Sequence, residues 1–460
     1  MEVPSEEPPA ECSRCRELEA RVLELETKLR DLEDRLKPAA GKRPVEPQPP
    51  APGKTPTGKT RGAQPGHKPH LKTWLPRERV SDVVPYIPER CATCDEALPP
   101  VAGPNDPAAT IHQVAELPPL LAVVTEHQGH YRTCSHGHVT HAAIPAAVRG
   151  HTLGPNLTAA VAYFAGSHGM SKRGIEEVVE TLFGVPIALG TVANLEREMS
   201  VALEPAYRQT RRHVADAAVK HLDETGWKEA GKKRWLWVAA TASAVLFLIH
   251  PRRNLAALKL LLGKLSGILV SDRWKVYDDW DAECRQICWA HVKRNWDKQI
   301  ERGGTAKTLG ERWQTTQKTV FELWHLFRGG GCTRTELSDR LVPHVEALGE
   351  VLHAGTRSRD AALVRYCERL WDRFPMLWLF AAVEGVEPTN NHAERVQRRA
   401  VLWRRKSFGC QTPAGCRFVE RILTVVQTLR LQKRNALEFL GQCLTAHRLG
   451  QSTPKLCGAG

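Results

Sequence analysis

The segment AAVKHLD (217–223) is the first of four that decide the fold, and WLWVAATASAVLFLI (235–249), NLAALKLLL (254–262) and ILVSD (268–272) follow it. Its alternating polarity predicts a strand that carries Val219, His221 and Asp223 on one face. The second segment is interrupted by a threonine and a serine, which favours a β-hairpin of two buried strands. The third has the apolar stripe of a helix, and the fourth predicts a buried strand followed directly by an aspartate.

The order strand, strand, strand, helix, strand is that of a ribonuclease-H-like sheet, so we predict a mixed α/β domain. Sheets that contain parallel strands build polar sites at the carboxyl ends of those strands. Asp223 and Asp272 are therefore predicted to meet on neighbouring strands. Two alternatives stay open: Glu224 or Asp223 is a turn residue before Gly226, or the acids of the site belong to a second cluster, Asp278, Asp279 and Asp281.

A third acid, Glu394, stands among six cations in PTNNHAERVQRRAVLWRRKSFG (388–409). Apolar residues at helical spacing predict a helix here, capped by one of the two preceding asparagines. Glu394 would line up with Arg398 and Arg405 on a face that suits a polyanion. The alternative is a capping-box-like pair of Asn391 with Glu394, together with an i+4 ion pair to Arg398.

Three carboxylates in one site suit the transfer of phosphodiesters. Two hard cations neutralise the attacking and leaving oxygens of such a reaction, and carboxylate oxygens are the ligands that these ions prefer. The cations beside Glu394 would then hold DNA phosphates, and those predicted to do so are Arg395, Arg398, Arg399, Arg405 and Lys406.

Composition is consistent with a nucleic-acid partner. Lysine and arginine number 65 against 51 acidic residues, a formal net charge of +14 over 460 residues. This balance favours nucleic acid or an anionic membrane, with a generic basic surface as the alternative. We expect no membrane association, because no secretory leader opens the chain and the run 235–249 is short for a spanning helix. Thirteen scattered cysteines do not resemble a disulfide framework and indicate a reducing cytoplasm.

Two segments of different composition open the chain. Residues 1–37 predict a short coiled coil, because apolar residues recur at alternating steps of three and four: Cys15, Leu18, Val22, Leu25, Leu29, Leu32 and Leu36. Three heptads are marginal for a lone helix, so self-association is expected, with an intramolecular helix pair as the alternative. Residues 38–75 are rich in Pro, Gly, Lys and Arg and predict a disordered basic linker.

Residues 76–149 predict a zinc-binding domain. Cys91 and Cys94 form one Cys-x-x-Cys pair, and Cys134 begins a second half about forty residues later. Gly137 stands where a second Cys-x-x-Cys would place its cysteine, so His138, or else His136, must supply the fourth ligand. Unpaired thiols and loop histidines are the alternative interpretation.

Residues 150–215 are predicted to be helical. Within them MSKRGIEEVVETLFGVPIALGTVANLEREMS (170–200) has the pattern of a helix-turn-helix, whose second helix would enter a DNA groove. Ordinary helical packing explains the same pattern.

Four ordered blocks resemble those of insertion sequence 66 family transposases: Asp223–Trp227, Ser271–Tyr277, Cys288–Arg294, and Asn390–Arg395 followed by Arg405–Phe408. The resemblance implies a DDE transposase, with Asp223, Asp272 and Glu394 as the acidic triad and Mg²⁺ or Mn²⁺ as cofactor. It further implies that His291 positions substrate or contacts phosphate, although a core histidine beside Trp289 is the alternative.

The resemblance also orders the domains. It implies a catalytic domain over 216–430 with a helical insertion at about 296–386, followed by a C-terminal helix and tail over 431–460. The expected partners are element ends and target DNA, further copies joined through the coiled coil, and accessory proteins of the same element. The expected location is the bacterial cytoplasm, on the nucleoid.

The expected activity is metal-dependent hydrolysis of a phosphodiester at the element's end, followed by strand transfer into target DNA. The alternative from another class is a catalytically inactive, zinc-containing DNA-binding protein derived from a mobile element.

Overall fold

The computed structural model describes residues 74–101, 103–104, 106–117, 120–145 and 148–458. The predicted coiled coil and all but the last two residues of the predicted linker lie outside these ranges. The chain divides into two units, Met1–Ala115 and Glu116–Gly460. No helix in the described ranges is long and apolar enough to cross a membrane.

The first unit contains little regular structure in its described residues. A 3₁₀ turn forms at Arg77–Arg79, and an isolated bridge pairs Arg90 with Ala97 around the turn that holds Cys91 and Cys94. Its large apolar side chains, such as Tyr86, are mainly exposed. A segment without an apolar core needs another source of stability, which is the circumstance in which small domains use a metal.

The second unit opens with a short antiparallel hairpin of β1 (Tyr131–Thr133) and β2 (Val139–His141). Four helices follow before the main sheet: α1 (Pro155–His168), α2 (Lys172–Phe183), α3 (Leu189–Ala202) and α4 (Glu204–Asp216). Ser171 caps α2, and Gly184 ends it with φ +67°, a conformation that glycine adopts without steric cost.

The main sheet has five strands: β3 (Val219–Glu229), β4 (Lys232–Ala240), β5 (Val245–His250), β6 (Ile268–Ser271) and β7 (Arg285–Ile287). They lie in the order β5-β4-β3-β6-β7. The first three strands form antiparallel pairs, and β6 and β7 are added in parallel. The mixed α/β class predicted from the sequence is confirmed, and the predicted hairpin is β4 with β5.

One boundary differs from the prediction in a way that matters for the site. The first strand continues six residues past Asp223 to Glu229, because β4 pairs with it throughout, from His221 opposite Ala240 to Glu229 opposite Lys232. Asp223 therefore lies inside a strand and not at its end. Asp272 follows the last residue of β6, as predicted.

Helices cover the sheet and extend beyond it. The helix α5 (Leu255–Leu262) joins β5 to β6, and Asn254 caps it through the amide of Ala257. Between β7 and the segment of Glu394 lie α6 (Trp289–Glu301), α7 (Gly304–Arg328), α8 (Arg334–Thr356), α9 (Ala361–Trp371) and α10 (Leu379–Ala382). The chain closes with α11 (Asn391–Ser407), α12 (Pro413–Leu431) and α13 (Ala436–Arg448).

Two hydrophobic cores result. The larger joins the first four helices to the sheet, α12 and α13, while the smaller holds α6 to α10 together around tryptophans. In the smaller core the rings of Trp296 and Trp313 stack with centroids 5.2 Å apart, and Trp289 donates its indole N–H to the Leu377 carbonyl at 2.7 Å. Each indole buries a large apolar area, and the core also includes Val270 of β6 and Ile287 of β7, so it packs the insertion against this end of the sheet.

Helix α12 closes the free edge of the sheet at β5. Alternate amides of that strand, those of Val245, Phe247 and Ile249, donate to side chains one helical turn apart, namely Thr428 (3.0 Å), Thr424 (3.0 Å) and Glu420 (2.6 Å). A buried edge strand must find acceptors for these amides, and the helix supplies them in place of a sixth strand.

Candidate active site

Asp223 lies within β3, and Asp272 directly follows β6, the adjacent parallel strand. β3 and β6 pair with a constant offset of 49 residues, from Val219 opposite Ile268 to His221 opposite Val270. The same offset places Asp223 level with Asp272. Their side chains are partly buried, and each carboxylate accepts a local amide, that of Glu224 at 2.9 Å and that of Trp274 at 2.8 Å.

The third acid reaches this place because one asparagine ties the start of α11 to the sheet. Asn390 is 1% exposed, and its amide nitrogen donates to the Leu222 carbonyl at 2.6 Å. Its backbone N–H donates to the Cys288 sulfur at 3.1 Å, which adds the start of α6 to the junction. The side chain makes no capping bond, so the asparagine serves the sheet and not the helix end.

Glu394 stands one turn into α11 and faces α6. Its Oε1 lies 3.4 Å from Arg294 Nη2 and 3.9 Å from His291 Nδ1. The predicted alternative, a capping pair with Asn391 and an ion pair with Arg398, is not the arrangement found: Asn391 is the first residue of the helix, and Glu394 pairs with Arg294. Arg294 is a site residue that the sequence reasoning did not single out.

The carboxyl group of Asp223 has an unusual pKa. Burial, the charge of Glu224, and the charges of Asp272 and Glu394 raise this pKa to about 7. The acids from three distant parts of the sequence are therefore close enough for their charges to interact.

Glu224 has a different role from its neighbour. Successive residues of a strand point to opposite faces, and Glu224 is buried, where it pairs with Arg253 and accepts the Tyr277 hydroxyl. Arg253 in turn stacks on Trp274, with its guanidinium carbon 3.8 Å from the ring centroid. The second acidic cluster is also used structurally, since Asp278 pairs with Arg285 and Arg373, each at 2.8 Å.

His291 is held neutral beside the acids. Burial and the charge of Arg294 lower its pKa, against the opposite influence of Asp272 and Glu394. Its Nδ1 is buried and has no hydrogen-bond partner within the described ranges. A neutral imidazole with an unused ring nitrogen can exchange a hydrogen bond with a bound phosphate or water.

The donor set fits divalent cations. Mutually repelling carboxylates at one edge of the sheet are relieved by a hard cation, for which carboxylate oxygen is the preferred ligand. The carboxylates do not form a coordination sphere in this structure. Among the described residues, no group of three or more His, Cys, Asp or Glu side chains could hold a metal ion.

Residues 150–417 match the family described as Transposase IS66 family, and this range is more than half of the chain and contains Asp223, Asp272, His291 and Glu394. The chain belongs to the IS66 transposase family. A search of curated proteins finds no match to the chain.

The basic residues predicted to contact DNA lie on the outer surface of α11 in this transposase family member. All five are exposed, and in the described part of the chain none of them forms an ion pair: Arg395, Arg398, Arg399, Arg405 and Lys406. Arg404 differs, because it points inward and donates to the Gly226 carbonyl and to the Thr225 hydroxyl. The helix thus has a buried anchoring side and a free cationic side.

The predicted zinc ligands lie in two turns, one in each unit. In the first, the backbone amides of Cys94 and Thr93 hydrogen-bond the Cys91 thiol and lower its pKa, which favours the thiolate that metals bind. In the second, Cys134 and His138 flank the hairpin turn, with a 3.0 Å bond from the Cys134 amide to the His138 carbonyl. Gly137, at φ +82°, makes this turn possible.

Proposed function

We propose that the chain is a DDE transposase that hydrolyses a phosphodiester at the ends of an insertion sequence and transfers the freed strand into target DNA. The observations that support this proposal are the charge interactions of Asp223, in β3, with Asp272 and Glu394, and the exposed basic residues on α11. The strand order and connections support a ribonuclease-H-like catalytic domain over 216–430, interrupted by the helices of about 296–386.

The three carboxylates would hold Mg²⁺ or Mn²⁺, which supply charge neutralisation at the attacking and leaving oxygens. The remaining chemistry belongs to side chains of the chain itself. His291 would donate a ring N–H to a non-bridging phosphate oxygen. Arg294 forms an ion pair with Glu394 and would face the bound DNA strand. The arginines and lysine of α11 bind flanking phosphates.

The other modules would serve recognition and assembly. We propose that Cys91, Cys94, Cys134 and His138 bind a structural Zn²⁺, a ligand set that rests on the sequence pattern and is supported by the amide-bonded Cys91 sulfur. The helical region 150–215 would contact element ends, and the coiled coil 1–37 would join protomers, so that two active sites act on paired ends. Accessory proteins of the element would complete the assembly.

The test is a nicking and strand-transfer assay on DNA that carries the element's ends, with Mg²⁺ or Mn²⁺ and with the element's companion proteins present. The wild type is expected to cut and join, while Asp272→Asn and Glu394→Gln bind the DNA and leave it intact. The alternative, an inactive zinc-containing DNA-binding protein, gains support if wild type and variants bind equally and none cuts.

A further inference from the structure

A cleft of about 480 Å³ opens on the far side of α11 from Glu394. Its walls are the start of β3, the turn between β4 and β5, the loop before α11 and the first turn of α11. The polar residues that line it are His213, His221, Thr241, Ser243, Glu387, His392 and Arg395. No role was assigned to this cleft from the sequence, and of these residues only Arg395 was predicted to function.

The cleft and the carboxylates are neighbours, separated by one turn of α11. Glu394 faces α6, whereas His392 lies on the opposite flank, where its Nε2 is 2.7 Å from the Thr241 carbonyl at the end of β4. Arg395 is one turn after His392 and shares its flank. On the sheet, His221 precedes Asp223 by two residues and shares its face. A DNA strand leaving the carboxylates across the start of α11 would therefore reach the cleft.

The charges of the cleft leave one free cation. Glu387 is neutralised by Arg328, whose Nη1 lies 2.8 Å from its Oε1. Arg395 is exposed and forms no ion pair within the described residues. The cleft therefore offers a guanidinium to an anion at its mouth.

Its inner wall offers both a donor and an acceptor of hydrogen bonds. The Asn390 amide nitrogen is used on Leu222, so its oxygen accepts from Nδ1 of His221 at 3.3 Å. With its proton on Nδ1, the neutral ring of His221 presents Nε2 as an acceptor. The Ser243 hydroxyl, 3.2 Å from His213 Nε2, is a nearby donor.

We propose that this cleft receives one unpaired nucleotide of the DNA strand that is cut at the carboxylates. Arg395 holds its phosphate, and His221, Ser243 and His392 contact the edge of its base. The volume suits a molecule of nucleotide size, and a neutral wall with mixed donors and acceptors suits a base. Extracting a base from a duplex costs free energy, which the contacts in the cleft must offset. This inference rests on the proposed function.

The test uses DNA ends that carry 2-aminopurine, whose fluorescence rises when it leaves the base stack, at each position near the cut. The full-length chain with Asp272→Asn holds the DNA uncut. We expect a rise of several-fold at one position. Adding Ala242→Trp, which fills the cleft from its wall, should abolish the rise, whereas Ala354→Trp, on the exposed surface of α8, should not.

Two results would contradict the proposed role of the cleft: no position brightens although DNA is bound, or the fluorescence rise persists with Ala242→Trp. Cleavage by otherwise wild-type protein is measured in parallel, so the two proposals fail separately. If the wild-type protein cuts normally and no position brightens, the proposed nucleotide site is wrong and the proposed transposase activity is unaffected. A bright position that Ala242→Trp abolishes, with no cutting under any metal, supports the cleft and overturns the nuclease activity.

Discussion

Two carboxyl groups in different regions of the sheet, the partly buried Asp223 and the buried Glu420, each have a pKa of about 7, for different reasons. Asp223, in the centre, is buried among other acids, and its neighbours Glu224, Asp272 and Glu394 add to the effect of burial. At the β5 edge, burial raises the pKa of Glu420, while the Ile249 amide and nearby arginines lower it. A raised pKa alone therefore does not identify a functional acid.

The cause of the shift separates the two regions. Repulsion between carboxylates destabilises the folded chain and can be relieved by a cation, which is typical of a site kept for chemistry. A carboxyl group that accepts a backbone amide completes the hydrogen bonding of an edge strand. We expect substitutions to affect cleavage at the first region and stability at the second.

The largest effect is expected from Asp223→Asn. The amide keeps the shape of the side chain but removes a metal-binding charge, so cleavage should fall by about 10³-fold or more. Stability at pH 8 should stay level or rise, because repulsion with Asp272 and Glu394 is removed. Strand-nicking rates and thermal unfolding without metal measure the two quantities. The matched control, Glu420→Gln, should cut at the wild-type rate. A comparable loss of cleavage in this variant would mean that the two carboxyl groups do not differ in function.

The second effect is a pH dependence at the edge. The pKa of Glu420 is raised from 4.5 to about 7 in the folded chain, so folding favours its protonated form. The resulting stability is complete below about pH 4.5 and is lost as the pH rises through about 7, a change of up to about 3 kcal/mol. Denaturant unfolding of wild type and Glu420→Gln, both in EDTA, isolates this change, since Asp223 titrates equally in both. If the free energy of unfolding changed with pH in the same way in both proteins, the raised pKa of Glu420 would be contradicted.

Local patterns in the sequence were sufficient for much of the fold. The alternation in 217–223, the hairpin in 235–249 and the apolar strand 268–271 each appear in the sheet, because each encodes its own burial. The extension of β3 to Glu229 was missed, since it depends on pairing with β4. Lys232, Lys233 and Arg234 gave no strand signal of their own.

The acids of the proposed site were named from the sequence, but the residues that hold them in place were not. Asp272 and Glu394 follow from strand ends and from a lone acid among cations. The sequence suggested Asn390 as a helix cap. In the structure it instead hydrogen-bonds Leu222 and Cys288, which lie 168 and 102 positions away. Arg294 gave no signal because its partner lies 100 residues away. Contacts of this kind exist only after folding.

The third prediction compares the two anchors of the sheet. Asn390→Ala removes the bonds that hold the start of α11 on β3, and the resulting displacement of Glu394 should slow cleavage by about 10²-fold. Thr428→Val removes the side-chain acceptor of the Val245 amide on the edge strand β5. Each substitution should lower the free energy of unfolding by about 1–3 kcal/mol. Only Asn390→Ala should also weaken binding of Mn²⁺, measured by titration calorimetry, and equal binding in both variants would mean that Asn390 is merely structural.

The smallest effect is expected on the exposed surface. Arg398 on α11 and Arg417 on α12 are both exposed and carry the same charge, so their replacement by glutamine alters the net charge equally. If α11 faces the DNA, Arg398→Gln should lower the slope of log affinity against log salt by about 1, and Arg417→Gln should lower it less. Fluorescence anisotropy at several salt concentrations measures the slopes, and thermal unfolding should be unchanged in both. Equal slopes would place the DNA elsewhere or spread it over both helices, and the acidic region would then lose the cationic neighbour that distinguishes it from the β5 edge.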